Sequence, residues 1–306
     1  MRVTQNIVQR AALAFALGFS ASPGRAASVS ADFLRLGNGA RAAALGNAST
    51  ALVNDATAIA WNPAALTRLK TKTATLMHAS YLDSAYTYQF AAYGQSVGAS
   101  LGFGLGVQYL SVGALPQTDL TGTEIGSFSP NDLAVSAGGA WSFGGNSVGL
   151  TAKWIRSEIV KSAQTVAGDI GFLSAPLWEN RLRVGLVAAN LGGGLKYDRE
   201  KSDLPLVVRA GAALRVKTVW TLTADAEKPK SGDAVFGGGS EYRWTPGPRW
   251  TLAGRLGYSN RARDIRGVTG VSGGLGVLYK KIQIDYALVP YGDVGLTHLV
   301  SLTTYF

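Results

Sequence analysis

The sequence predicts an all-β transmembrane barrel of about fourteen antiparallel strands with an N-terminal helical hatch, on three observations. From Thr71 onward, runs of about ten residues alternate between large apolar and small or polar side chains, as tilted membrane strands of about 9–11 residues do. The links between runs are alternately short and long, as in barrels with tight periplasmic turns and larger outside loops. The chain opens with an export-type leader, yet no later segment offers the roughly 18 uncharged apolar residues that a spanning helix requires. Composition agrees: 39 of 306 residues are glycine, 47% are hydrophobic and only 16% are charged. That balance suits strands that are apolar on one face.

The leader comes first. Arg2 and Arg10 precede the apolar run 11–19, and small residues at Gly24 and Ala26 place a cut after Ala26, so residues 1–26 are expected to be a signal peptide. Its removal lowers the formal charge from +10 to +7, because Arg2, Arg10 and Arg25 leave with it and no acid does. The remaining basic charges are spread over strand ends and turns with no basic run, which argues against nucleic acid as a partner and suits lipopolysaccharide phosphates. There is no cysteine and only His78 and His298, so no metal site and no cofactor is expected.

Residues 27–70 do not alternate and form the expected hatch. Alanine-rich stretches favour short helices, with Gly46 as a stop and Asn54 or Asp55 as a cap. Asn62 breaks the chain before Pro63, which suits a first helical position. Placed where the chain comes into the barrel from the periplasm, such a segment can fold into the lumen as a plug. Arg35, Arg41, Asp55, Asn62 and Pro63 are the candidate hatch and lumen residues. Arg41 and Asp55 are the pair to watch, because charges in a narrow lumen need partners. A static plug is preferred over a switch, and a plug disfavours an open porin.

Residues 71–306 are expected to form the barrel, with runs near 73–82, 85–95, 97–112, 131–143, 146–160, 163–174, 180–191, 204–215, 218–226, 232–244, 249–259, 268–280, 281–290 and 294–306. The third run is the clearest: Leu101, Phe103, Leu105, Val107 and Tyr109 share a lipid face, and Gly102, Gly104, Gly106 and Gln108 the lumen face. The long links 113–130, 192–203 and 260–267 all follow odd-numbered runs and are assigned to the outside. Trp220, Tyr242, Trp244, Trp250, Tyr279, Tyr286, Tyr291 and Tyr305 cluster near run ends, as interfacial girdles do. The last run alternates up to Tyr305 and Phe306, a closing-strand signal for the barrel assembly machinery.

Two apparent catalytic features are discounted. Gly270-Val271-Ser272-Gly273-Gly274 matches a hydrolase elbow, but that motif needs a strand-to-helix turn and here lies within a strand. His298 would suit an outer-membrane lipid hydrolase only with a nucleophile and an orienting group, which the sequence does not supply. No catalytic residue is assigned and no enzyme is expected.

The segment Gly39-Ala40-Arg41-Ala42-Ala43-Ala44-Leu45-Gly46, followed by Asn54-Asp55-Ala56-Thr57-Ala58 and Asn62-Pro63-Ala64-Ala65-Leu66, resembles the N-terminal signature of the PorV/PorQ family. That family is similar to FadL-type transporters, which share the Asn-Pro-Ala element and a fourteen-stranded barrel with a hatch. The resemblance implies an outer-membrane component of protein export or surface attachment, of type IX secretion kind, with exported proteins as partners. The FadL side implies instead the passage of small hydrophobic molecules through the hatch and a lateral opening. The compact outside links leave little material for a cargo platform or an external groove.

Overall fold

The computed structural model describes residues 30–81, 84–119, 121–197 and 200–306, so the expected signal peptide at 1–26 lies outside the described residues. Fourteen strands close into an antiparallel barrel, and no helix among the described residues is long and apolar enough to cross a membrane. In chain order the strands are β1 (Thr73–Tyr81), β2 (Tyr86–Val97), β3 (Leu101–Val112), β4 (Leu115–Thr118), β5 (Glu124–Phe128), β6 (Asn131–Phe143), β7 (Asn146–Glu158), β8 (Ser162–Leu173), β9 (Leu182–Gly192), β10 (Leu195–Tyr197), β11 (Glu200–Ser202), β12 (Val207–Lys217), β13 (Trp220–Pro229), β14 (Val235–Gly247), β15 (Trp250–Ser259), β16 (Val271–Tyr279), β17 (Ile282–Pro290) and β18 (Leu296–Tyr305). All belong to the barrel except β4–β5 and β10–β11, which form two-stranded ribbons.

Closure follows from pairing the last strand with the first. Thr73 faces Tyr305 and Ser80 faces His298, and the Phe306 amide donates to the Lys72 carbonyl at 2.9 Å. Every backbone group in the wall can then pair with a neighbour, as lipid demands. The predicted alternation is the observed one: Leu101, Leu105, Ile282 and Ile284 are each more than half exposed to the outside, while Gln108, Gln283 and Asp285 are buried in the lumen. Trp141, Trp220, Trp244, Trp250 and Tyr279 form an outward ring at the end of the barrel where the hairpins are tight, here called the turn end. Tyr291 instead turns into the opposite, loop end, and the Tyr305 hydroxyl reaches Gln283 at 3.1 Å.

The two longest outside links are not plain loops. Within them β4 pairs with β5 and β10 with β11, each pair making a ribbon at the loop end. Their backbone groups pair locally, which is why the links are compact for their length.

The hatch lies inside the wall. It contains a 3₁₀ turn (Asp32–Arg35), α1 (Ala40–Ala43), α2 (Ala58–Trp61) and a 3₁₀ helix (Pro63–Arg68). Its alanines are almost completely buried, and it fits because the lumen face of the wall is built from glycine. A Cβ on Gly239 would meet Leu45, on Gly257 the Gly46 backbone, on Gly149 the Ala64 amide, and on Gly102 the Leu66 carbonyl. Interiors pack at crystal-like density, so a methyl group at any of these points requires the hatch to move.

The path of the hatch is fixed by its two ends. The Ser30 amide donates to the Asp203 carbonyl at the loop end, at 3.0 Å, whereas Arg68 bonds the Gly145 and Ser174 carbonyls at the turn end. The hatch therefore runs the length of the lumen from loop end to turn end before β1 begins. The sequence marks where helices break, but it does not carry the direction in which they thread a cavity.

Candidate functional site

Two features of the lumen bear on function: the polar lock that holds the hatch, and the space it leaves open above itself. The lock is built on Glu241 of β14, a lumen-facing position in the strand alternation. Its carboxylate is 2% exposed and accepts from the Arg41 Nε at 2.8 Å and Nη2 at 3.0 Å, from the Arg243 Nε at 2.8 Å and from the Arg255 Nε at 2.8 Å. Arg255 continues to Asp285 at 2.7 Å, and Asp285 also accepts from Gln283 at 2.6 Å. Charge-assisted bonds of this length are roughly twice as strong as neutral ones, and here they join the hatch to β14, β15 and β17.

Arg41 and Asp55, the two hatch charges singled out, find partners of different kinds. Arg41 takes Glu241 and the Asn54 side chain, at 2.7 Å. Asp55 instead accepts from the Thr57 amide at 2.9 Å and hydroxyl at 2.6 Å, capping the turn that leads into α2. The partner of Arg41 is thus a wall acid two hundred residues away, while Asp55 is satisfied within the hatch.

Asn62 and Pro63 behave as their sequence context suggests. The Asn62 Oδ1 accepts from the Ala64 amide at 3.1 Å, and its Nδ2 donates to the Thr50 carbonyl at 2.9 Å and the Phe172 carbonyl at 3.1 Å. Pro63 begins the 3₁₀ helix and packs where Gly171 leaves room. Asn62 thus ties two parts of the hatch to β8, and it is completely buried. Its contacts are structural rather than aimed at an open cavity.

Arg35 sits at the other end, bonded to Glu227 of β13 at 3.2 Å, and Glu227 also accepts from Arg261 at 3.0 Å. Arg35 forms part of the floor of a cup at the loop end with a volume of about 730 Å³. Phe33 and Leu36 complete the floor. Tyr81, Tyr86, Leu110 and Tyr291 supply an aromatic and aliphatic wall, with the Tyr81 and Tyr291 rings 6.5 Å apart. Charged groups, among them Arg261 and the Arg263–Asp233 pair, are gathered on the side of the 260s loop. The space is within the ordinary range for small-molecule sites, about 300–1,000 Å³. Below it the lumen is filled by the hatch.

The remaining sequence features fall outside this site. Ser272, in the apparent elbow, lies within β16 and its hydroxyl accepts from the Gly46 amide at 3.3 Å, so it seats the hatch. His298 faces outward on β18 and its Nδ1 is 2.7 Å from the Tyr286 hydroxyl; Ser80 lies opposite it in the ladder but bonds Ser84. Among the described residues no acid bonds the imidazole. Phe306 is exposed.

Sequence reading missed Glu241, Arg255, Glu227 and the cup tyrosines. One signal was present: a charged residue at a lumen-facing position of a strand needs a lumen partner. In β14 consecutive glycines interrupt the run and hide its alternation.

Residues 8–203 match the uncharacterised protein family UPF0164, which is more than half of the chain, and the chain belongs to that family. No curated protein matches it. Among solved structures it is similar to the Ralstonia pickettii toluene transporter TbuX, with a TM-score of 0.62 and 13% identity over 88% of this chain and 98% of that one. The Pseudomonas putida toluene transporter TodX gives 0.61 and 12% over the same shares. A Pseudomonas aeruginosa FadL homologue gives 0.55 and 11%, over 92% of this chain and 99% of the other. At such identities the likeness is one of fold, that of a closed fourteen-stranded barrel.

Proposed function

We propose that this UPF0164 chain resides in an outer membrane and passes small hydrophobic molecules inward, taking them up in the cup at the loop end. The carrying observation is the cup itself: an apolar and aromatic space of about 730 Å³, open at the loop end and floored by the hatch residues Phe33 and Leu36. A ligand that enters it displaces water from tyrosine and phenylalanine faces, which favours apolar solutes. Because hatch residues form the floor, passage requires that the hatch shift, so the protein conducts without being an open pore. The likeness to toluene transporters and to a FadL homologue supports the reading. These neighbours are transporters rather than enzymes, and no catalytic step is assigned.

The protein-export role implied by the PorV/PorQ-like signature is the second reading. What favours it is the exposed ribbon β4–β5 at the loop end, whose Leu115 and Ile125 are outward and whose edges are open to another chain. Native mass spectrometry of the protein extracted gently from its own membrane separates the two. The transport reading expects a bound hydrophobic small molecule that is lost on Phe33→Asp. A stoichiometric exported protein, with an empty cup, overturns it in favour of export.

A further inference from the structure

Charge is distributed unequally between the two ends of the barrel. At the loop end acids and bases are interleaved, and many are joined: Lys230 to Asp203, Arg263 to Asp233 and Arg156 to Glu158. At the turn end the links are short and nearly free of acid. Lys72 precedes β1, Lys217 ends β12, Arg249 lies between β14 and β15, and Lys280 and Lys281 join β16 to β17; all five are exposed. Among the described residues none of the five has an acidic partner. The acid carried by the links of this end is Glu179, and it lies 3.5 Å from Arg181.

These cations form one continuous arc, because β12 to β18 and then β1 are successive neighbours in the wall. The turn-end links at 98–100 and 144–145, on the other side of the barrel, carry no charge. The arc runs beside the outward aromatic ring. Arg249 precedes Trp250, Lys217 is three residues from Trp220, and the Lys280 ammonium lies 5.4 Å from the Tyr279 ring centroid. The Trp250 and Tyr279 rings are 4.4 Å apart and both face outward. Outward Trp and Tyr settle at the headgroup level of a bilayer. The unpaired cations therefore stand at the depth of lipid phosphates.

We propose that this arc is a docking surface for the headgroup phosphates of anionic phospholipids in the leaflet that the turn end meets. Ammonium and guanidinium groups make charge-assisted bonds to phosphate oxygens, and a net negative lipid supplies the counter-charge that the protein itself lacks there. A zwitterionic lipid does not. An acidic protein partner would meet cations gathered in one patch, whereas these follow the membrane boundary around one side of the wall. The contact holds that side, from β12 to β1, at a fixed depth. It involves neither the cup nor the hatch, so it stands apart from the transport reading.

The test uses the full-length mature protein in phosphatidylcholine vesicles. Quenching of its tryptophans by acyl-chain-brominated phosphatidylglycerol is compared with quenching by equally brominated phosphatidylcholine. Trp141, Trp220, Trp244 and Trp250 of the outward ring report the turn end. A cation near an anionic surface is worth about fivefold in lipid preference, so the wild type is expected to favour phosphatidylglycerol by at least about that factor. The preference should fall to near parity in Arg249→Gln/Lys281→Gln. It should be unchanged in Lys196→Gln/Lys201→Gln, which removes the same charge from the exposed ribbon β10–β11 at the loop end. Equal quenching of the wild type by the two lipids, a preference kept in the turn-end variant, or an equal loss in the loop-end variant overturns the assignment. If the turn-end variant does not insert, the salt dependence of the wild type decides. A preference that survives at about 1 M salt, where the Debye length is about 3 Å, overturns it.

Discussion

Replacing Glu241 by Gln keeps its shape and removes the charge that holds three arginines together. In the wild type Arg41, Arg243 and Arg255 each place a guanidinium nitrogen 2.8 Å from this one carboxylate. At an effective dielectric constant of about 20 one such pair is worth about 4 kcal/mol at ~4 Å, but desolvation offsets most of that, and the pairs are not additive. Breaking a buried pair from one side costs about 3–5 kcal/mol, because the abandoned cations stay buried. The strand ladder does not depend on Glu241, so the cost falls on the seating of the hatch. At about 1.4 kcal/mol per factor of ten, the displaced population should rise between roughly a hundredfold and a few thousandfold. Because the chain has no cysteine, Ala43→Cys, buried in α1, gives a single reporter whose thiol labelling rate reads that population. Arg41→Gln is the internal comparison. It leaves Glu241 with two arginines and removes one ion pair made of two charge-assisted hydrogen bonds, so about 1.5–3 kcal/mol and a smaller increase are expected. Labelling that stays at the wild-type rate in Glu241→Gln, or that is faster in Arg41→Gln, would refute the lock.

Other predictions follow from the packing of the same hatch. Gly149→Ala puts a methyl group into the Ala64 amide and should destabilise by about 1–3 kcal/mol, whereas Gly254→Ala, outward with open space around it, should leave the unfolding temperature unchanged. Asn62→Ala removes an N-cap acceptor and strands two buried carbonyls, at a cost of about 2–3 kcal/mol read by thermal unfolding in detergent. Phe306→Ala should lower the amount of barrel inserted in the membrane while barely shifting the melting temperature of what is inserted. Its ring is 57% exposed and only its amide pairs with the wall; equal losses in both measurements would show a structural role instead.

Much of the architecture was legible because a membrane strand exposes its rules at short range. Alternation with period two, tight turns such as the one at Gly144 and Gly145, and the break at Asn62 and Pro63 are all decided by neighbours in the chain. The run expected at 131–143 is the observed β6, and the other run ends differ by a few residues, where turn geometry rather than hydrophobicity sets the limit. The candidate site was legible only in part. Arg35 and Arg41 were chosen because lumen charges need partners, and both have them, but Glu227 and Glu241 lie about two hundred residues away.

By itself, then, the sequence determined which faces of the strands meet lipid, how many strands there are, and which segment is too alanine-rich and aperiodic to join the wall. Each of these depends on the local chain and on a solvent that punishes unpaired backbone. Only the tertiary structure decided the direction of the hatch, the choice of Glu241 as the partner of Arg41, and the meeting of Arg35 with Glu227. Alternation fixes the face of a residue but neither its depth along the barrel axis nor its position around the circumference. Those two coordinates depend on how the closed wall staggers its strands and on which glycines leave room, so charges far apart in sequence meet only when the barrel is shut around its hatch.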